Sequence, residues 1–106
     1  MTDKELLELA AQAAGYKWRE DIAEERDKLG VISLWIIDPM KTAWNPLESD
    51  GDALRLAVQL SFTVKVYGNH SWVKGFDSSC CHDDYDPYAA TRRAIVRAAA
   101  EIGKGV

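Results

Sequence analysis

At 106 residues the chain has the size of one domain, residues 1–106, and leaves no room for a second. An apolar fraction of 47% and a charged fraction of 28% exclude wholesale disorder. Thirteen Lys and Arg against seventeen Asp and Glu, a net charge of −4, disfavour a free-standing nucleic-acid binder, whose affinity comes mainly from neutralising phosphates.

No run of about 18 apolar residues is present, so no membrane span is expected. The opening MTDKELLEL is charged and helix-patterned, unlike a signal peptide. The two cysteines, Cys80 and Cys81, are adjacent, and such pairs rarely form a relaxed disulfide with each other. The expectation is a cytoplasmic protein with reduced thiols.

The first predicted element is a helix over 3–14. Thr2 and Glu5 have capping-box spacing. Leu6, Leu9, Ala10, Ala13 and Ala14 recur on one face, and Gly15 is a natural left-handed stop. Tyr16, Trp18 and Arg19 suit a short strand. The charged run Arg19 to Lys28 suits either an exposed helical turn or a long loop, and a solvated excursion is the preferred reading.

Val31 to Ile37 is β-branched and aromatic, closes at Asp38-Pro39, and predicts a central strand covered on both faces. A loop from Pro39 to Gly51 follows. Ser49, Asp50 and Asp52 are candidate caps for a second helix over 52–60, with Leu54, Ala57, Val58 and Leu60 inward. Phe62 to Tyr67 alternates as a half-buried strand, Gly68-Asn69 is a turn pair, and His70 to Phe76 returns antiparallel.

The acidic stretch Asp77 to Asp86 reads as loop. Asp86 caps a third helix over 87–102, with Pro87 at its first position, and Gly103 ends it. Tyr88, Thr91, Ile95, Ala98, Ala99 and Ile102 form its inward stripe. The order α-β-β-α-β-β-α indicates an α+β fold: an antiparallel sheet of three to four strands flanked by helices.

Three stretches carry a family resemblance: LLELAAQAAG (Leu6 to Gly15), WNPLESDGDALRLAVQL (Trp44 to Leu60) and DPYAATRRAIVRAAAEIG (Asp86 to Gly103). In order and spacing they resemble small phage and prophage proteins of the ABA-sandwich and NinX-like type. Those chains also begin with a helix, carry a Trp-containing Asn-Pro or Ser-Pro turn before a helix, and end in an Ala- and Arg-rich helix. The stretch Arg19 to Lys28 departs most from them. The resemblance implies an antiparallel sheet between helix layers and a phage or prophage origin, hence a bacterial host cell. It implies no catalytic activity.

Cys80-Cys81-His82, with His70 and Asp77, Asp83 and Asp84, has the composition of a metal site but not the spacing. Zinc-binding cysteine pairs are usually separated by two to four residues so that both sulfurs reach one ion. Asp83, Asp84 and Asp86 lack the alternating ligand pattern of a calcium loop. Negative charge at Glu48, Asp50 and Asp52 is explained by the helix that follows. No phosphate loop, nucleophile elbow or zincin motif is present. Neither metal nor cofactor is expected, and nothing favours a hydrolase or other enzyme.

Two sets of residues remain as candidates for binding a partner or an anion. Arg93 and Arg97 fall one turn apart on an exposed stripe, with Arg92 at the edge of the buried one. The bland alternative is a solvated face in which Arg97 pairs with Glu101. Trp44 of the Trp-Asn-Pro turn, with Trp72 and Tyr85, forms a candidate aromatic platform, and Asn45 beside Trp44 is a further candidate for partner binding. The bland alternative there is a core-edge tryptophan and a turn.

Two functions are consistent with these residues. One is a non-enzymatic phage accessory protein that binds a host protein, with inhibition of an antiviral defence system as its purpose. The other is a small-molecule binder that sequesters a nucleotide signal through arginine and aromatic side chains. A pocket joining the arginines to an aromatic would favour the second. A homodimer is open.

Overall fold

The structure, a computed structural model, describes residues 2–30, 33–67, 70–74, 79–83 and 86–105. Its first helix, α1 (Asp3–Ala14), begins where Thr2 Oγ1 accepts from Glu5 N at 3.2 Å. It ends at Gly15, φ 78°, where Tyr16 N donates to Ala11 O and Gly15 N to Gln12 O. This is a Schellman stop, which needs a left-handed residue after the helix. The strand β1 (Lys17–Trp18) follows, then a 3-10 turn (Glu20–Ile22) and a short helix α2 (Ala23–Lys28).

The charged run is therefore helical and not a loop. Local ion pairing and a long-range tie hold it: Arg19 forks onto Asp21 at 3.2 and 2.6 Å, and Arg26 donates to Ser33 O and Ser33 Oγ at 3.2 and 2.7 Å.

β2 (Leu34–Asp38) and β3 (Thr42–Trp44) complete a first antiparallel sheet of order β1-β2-β3. β2 is central, as expected, but only one of its faces is fully covered. Leu34 and Ile36 are buried whereas Ile37 is 45% exposed. Val31 and Ile32 of the expected strand lie outside the described residues. β3 falls within the expected loop; three residues are too short for an alternation to be read in sequence.

Helix α3 (Asp50–Gln59) is capped by Ser49, whose Oγ accepts from Asp52 N at 3.2 Å. It repeats the Schellman stop with Ser61 at φ 57°, where Phe62 N donates to Ala57 O and Ser61 N to Val58 O. A second antiparallel sheet of order β4-β5-β6 follows, formed by β4 (Thr63–Tyr67), β5 (His70–Lys74) and β6 (Ser79–Asp83). Its register sets Val64 opposite Val73, Lys65 opposite Trp72 and Trp72 opposite Cys81. The Gly68-Asn69 turn lies outside the described residues. β6 occupies the expected acidic loop, which carries no apolar alternation to announce a strand. The α+β class and antiparallel pairing thus stand, with the strands divided between two sheets of three.

Helix α4 (Pro87–Lys104) is capped by Asp86, whose Oδ1 accepts from Tyr88 N at 3.0 Å. It is the centre of the molecule, packing against α1, α3 and the second sheet. Ala94, Val96, Ala98, Ala99 and Ala100 enter one core with Leu6, Leu7, Ala10 and Ala11 of α1, Leu56 of α3, and Leu34, Ile36 and Trp44 of the first sheet. Each fully buried Leu, Ile or Val there contributes roughly 1.5–3 kcal/mol of burial.

α1 and α4 run side by side in the same direction, because Asp3 meets Arg93 while Leu9 meets Gly103. Gly103 does not end α4, which continues to Lys104. It lies where the two backbones touch: a Cβ built on it would fall on the Leu9 carbonyl oxygen and within 2.7 Å of the carbonyl carbon.

The second sheet is tied to α4 by hydroxyls. Thr91 Oγ1 donates to Pro87 O at 2.7 Å, so the 2.7 Å bond between Thr91 and the buried Ser71 has Ser71 as donor. Among the described residues, no helix is long and apolar enough to cross a membrane.

Candidate functional site

α3, β4 and α4 meet around a cavity of about 520 Å³. α3 supplies Asp50, Ala53, Leu54 and Ala57, while β4 supplies Val64 and Val66. α4 supplies Tyr88, Thr91, Arg92 and Ile95. The lining is almost wholly apolar, and several of its large side chains face solvent. Leu54 is 65% exposed, Val66 53% and Tyr88 67%, and Val58, one turn beyond Leu54, is 70% exposed.

This corrects the expected orientation of two helices. Leu54 and Val58 point outward because Ala53, Leu56 and Ala57 already fill the inward face of α3. Tyr88, expected inward, sits in the first turn of α4, where it borders the cavity in place of the core.

One turn beyond Tyr88 on α4, the rim is held by Arg92. Its guanidinium donates to Leu47 O at 2.8 Å and to Asp50 Oδ1 at 2.7 Å, and its side chain is only 16% exposed. An arginine so engaged fixes the start of α3 against α4 more than it offers a fork to an incoming phosphate. Arg93, expected on an exposed stripe, instead reaches across to α1, forking onto both Asp3 carboxylate oxygens at 3.1 and 3.3 Å. Spacing within one helix could not show this, because the partner lies 90 residues away in sequence. Arg97 is exposed, and Glu101 is bonded by Lys104 at 2.9 Å.

The aromatic platform is dispersed. Trp44 is 1% exposed and packs edge-on against Tyr16, ring centroids 5.5 Å apart at 81°, so it belongs to the core. Asn45 shapes the turn: its Oδ1 accepts from Leu47 N and its own N–H donates to Asp52 Oδ2, both at 3.0 Å. Trp72 lies on the second sheet with the Lys65 ammonium 5.2 Å from its ring centre. Tyr85 lies outside the described residues, as do the side chains of His70, Cys80, Cys81 and His82.

Of the candidate site residues, Arg92 alone lines the cavity among those described. The residues that build it, Leu54, Val64, Val66 and Tyr88, were missed as a group. One signal was present: Ala53, Leu54, Leu56, Ala57 and Val58 cover an arc of roughly 200° at 100° per residue, wider than the stripe of about 100° that one core contact requires. Comparison of the chain with protein-family models, with curated proteins and with solved structures gives no match.

Proposed function

We propose that this is a non-enzymatic binding protein that receives apolar side chains of a partner protein in the cavity between α3, β4 and α4. The observation that carries the reading is the gathering of Leu54, Val66 and Tyr88, each more than half exposed, around one concavity. Water-facing side chains of this size in one patch mark interaction surfaces far more often than scattered ones do. A polypeptide suits the lining because it brings apolar groups without charge, and the one arginine present is already engaged. The resemblance to small phage proteins makes a bacterial host protein the partner class, with interference in host defence as the corresponding role.

The second reading, sequestration of a small nucleotide, draws support from Arg92 and Tyr88 bordering the same cavity, whose volume falls within the range of small-molecule sites. It requires Arg92 to give up Asp50 or Leu47 for a phosphate.

One experiment separates the two. The wild type and Leu54→Asp are used to capture partners from host lysate, with mass spectrometry of bound proteins and of small molecules released on denaturation. A host protein lost with Leu54→Asp supports the first reading. A captured protein indifferent to that change overturns it. A nucleotide released from the wild type and lost in Arg92→Ala supports the second.

A further inference from the structure

We propose that the partner docks as an extended segment added to the free edge of β4, with apolar side chains turned into the cavity and an acidic side chain beside Lys65 on the opposite face. This rests on the reading of the cavity as a protein-binding site.

β4 is the edge strand of the second sheet, and all five of its residues are exposed. Alternate N–H and C=O groups of an edge strand point away from the sheet and can pair with an incoming chain. The register places Val64 and Val66 on the face shared by Val73 and Ser71. Val73 and Ser71 are fully buried under α4, yet Val64 is 36% and Val66 53% exposed. α4 thus covers β5 fully and β4 only in part. A further strand, about 4.8 Å beyond β4, would lie beside the cavity that Leu54 of α3 lines together with Val64 and Val66. It would cover the side chains that the fold leaves open.

The chemistry of that strand follows from the alternation of β4. Opposite Val64 and Val66 the added chain requires apolar side chains, since both face the cavity. Opposite Lys65, on the outer face, it favours a carboxylate, because directly opposed unlike charges stabilise a cross-strand pair and like charges destabilise it.

The same lysine argues against a second copy of the chain. Fully overlapped two-fold pairing of β4 with itself would set Lys65 against Lys65. A docked helix would cover Leu54 and Val58 but leave the edge of β4 unpaired.

The test uses nine-residue synthetic peptides labelled for anisotropy. One alternates valine with glutamate and one valine with lysine; a third has the composition of the first with its valines in one block. Two further copies of the first are N-methylated at alternate residues, each in one of the two registers. We expect the glutamate peptide to bind at least tenfold more tightly than the lysine and blocked peptides, with amide exchange slowed over 63–67. Lys65→Glu should reverse the charge preference. One N-methylated copy should lose at least tenfold and the other should retain binding.

Binding unaffected by both N-methylated copies, or equal for the blocked peptide, overturns strand addition. It leaves the cavity reading in place if host-protein capture still depends on Leu54. No peptide binding at all overturns strand addition too, as does a dimer that protects the β4 amides without peptide. Register-selective peptide binding indifferent to Leu54→Asp overturns the proposal as well, because the added strand would then pair with the edge without placing side chains in the cavity; the cavity reading itself is then decided by host-protein capture.

Discussion

Replacing Gly103 by alanine should destabilise the protein, although helix propensity alone argues the opposite. Gly103 lies inside α4, and alanine is better than glycine in a helix by about 1 kcal/mol. Against this stands the Leu9 backbone. The added Cβ would fall on the carbonyl oxygen of Leu9 and 2.7 Å from its carbon. Overpacking of a tight contact costs about 1–3 kcal/mol, and the upper end applies because the obstacle is backbone, which cannot change rotamer.

The net expectation is a loss of about 1–2 kcal/mol, or roughly 5–15 °C in Tm for a domain of this size. Gly51→Ala is the control. Gly51 is also helical, but its added Cβ would meet only Ser49 Oγ, at 3.9 Å, so that change should leave stability unaltered or raise it by up to about 1 kcal/mol. Thermal and urea unfolding of both variants decides the matter. If Gly103→Ala matches or exceeds the wild type, α1 and α4 do not meet at Leu9 and the packing described above is incorrect.

Three further expectations can be checked in the same unfolding assays. A double-mutant cycle on Asp3 and Arg93 should give a coupling of about 1 kcal/mol, at the top of the range for partly exposed pairs because the contact is forked; a coupling indistinguishable from zero would remove this tie between α1 and α4. Ser61→Gly should raise stability by about 0.5–1 kcal/mol by relieving a left-handed serine in the stop of α3, whereas Ser61→Ala should not. Burial, reinforced by Asp52, pushes the Tyr16 phenol above its ordinary value of 10.0. The folded state therefore holds that proton more tightly than the unfolded one, so this stabilisation is complete below the ordinary value and is lost as pH rises through the folded one. Tyr16→Phe should flatten the alkaline limb of the stability profile, and an unchanged limb would count against the assignment.

What could be read in the sequence was mainly what is local. The start of α1 at Thr2, its stop at Gly15 and the cap of α4 at Asp86 each depend on residues within a turn or two. All three took the expected form. The strand pair β4 and β5 followed from the alternation over 62–67 and the Gly68-Asn69 turn pair, although β4 is exposed at all five residues where a half-buried strand was expected. The helical turns of 20–28 stayed hidden because their ties run to Ser33 and within a short charged run that fits loop equally well. Leu54, Val58 and Tyr88 were misplaced for another reason. An apolar residue on a helix predicts burial only when the neighbouring elements extend far enough to cover it, and the lateral limit of α4 under β4 is a property of the assembled layers. The arginines show the same boundary: their positions around the helix were legible, but Asp3 and Asp50 as partners were not.

The parallel contact between α1 and α4 also has a consequence for the order in which the fold can be made. On the ribosome α1 emerges before the other described elements, yet the helix that covers its apolar face is the last of them to be synthesised. Leu6, Leu7, Ala10 and Ala11 must wait through some 80 intervening residues, several seconds at usual elongation rates. The second sheet faces a similar delay, since α4 is the element it packs on most extensively. Hairpins and capped helices can form early, but the core cannot close stepwise. Folding is therefore expected as a single late event, and a chain arrested before residue 87 should remain exposed to proteases and chaperones.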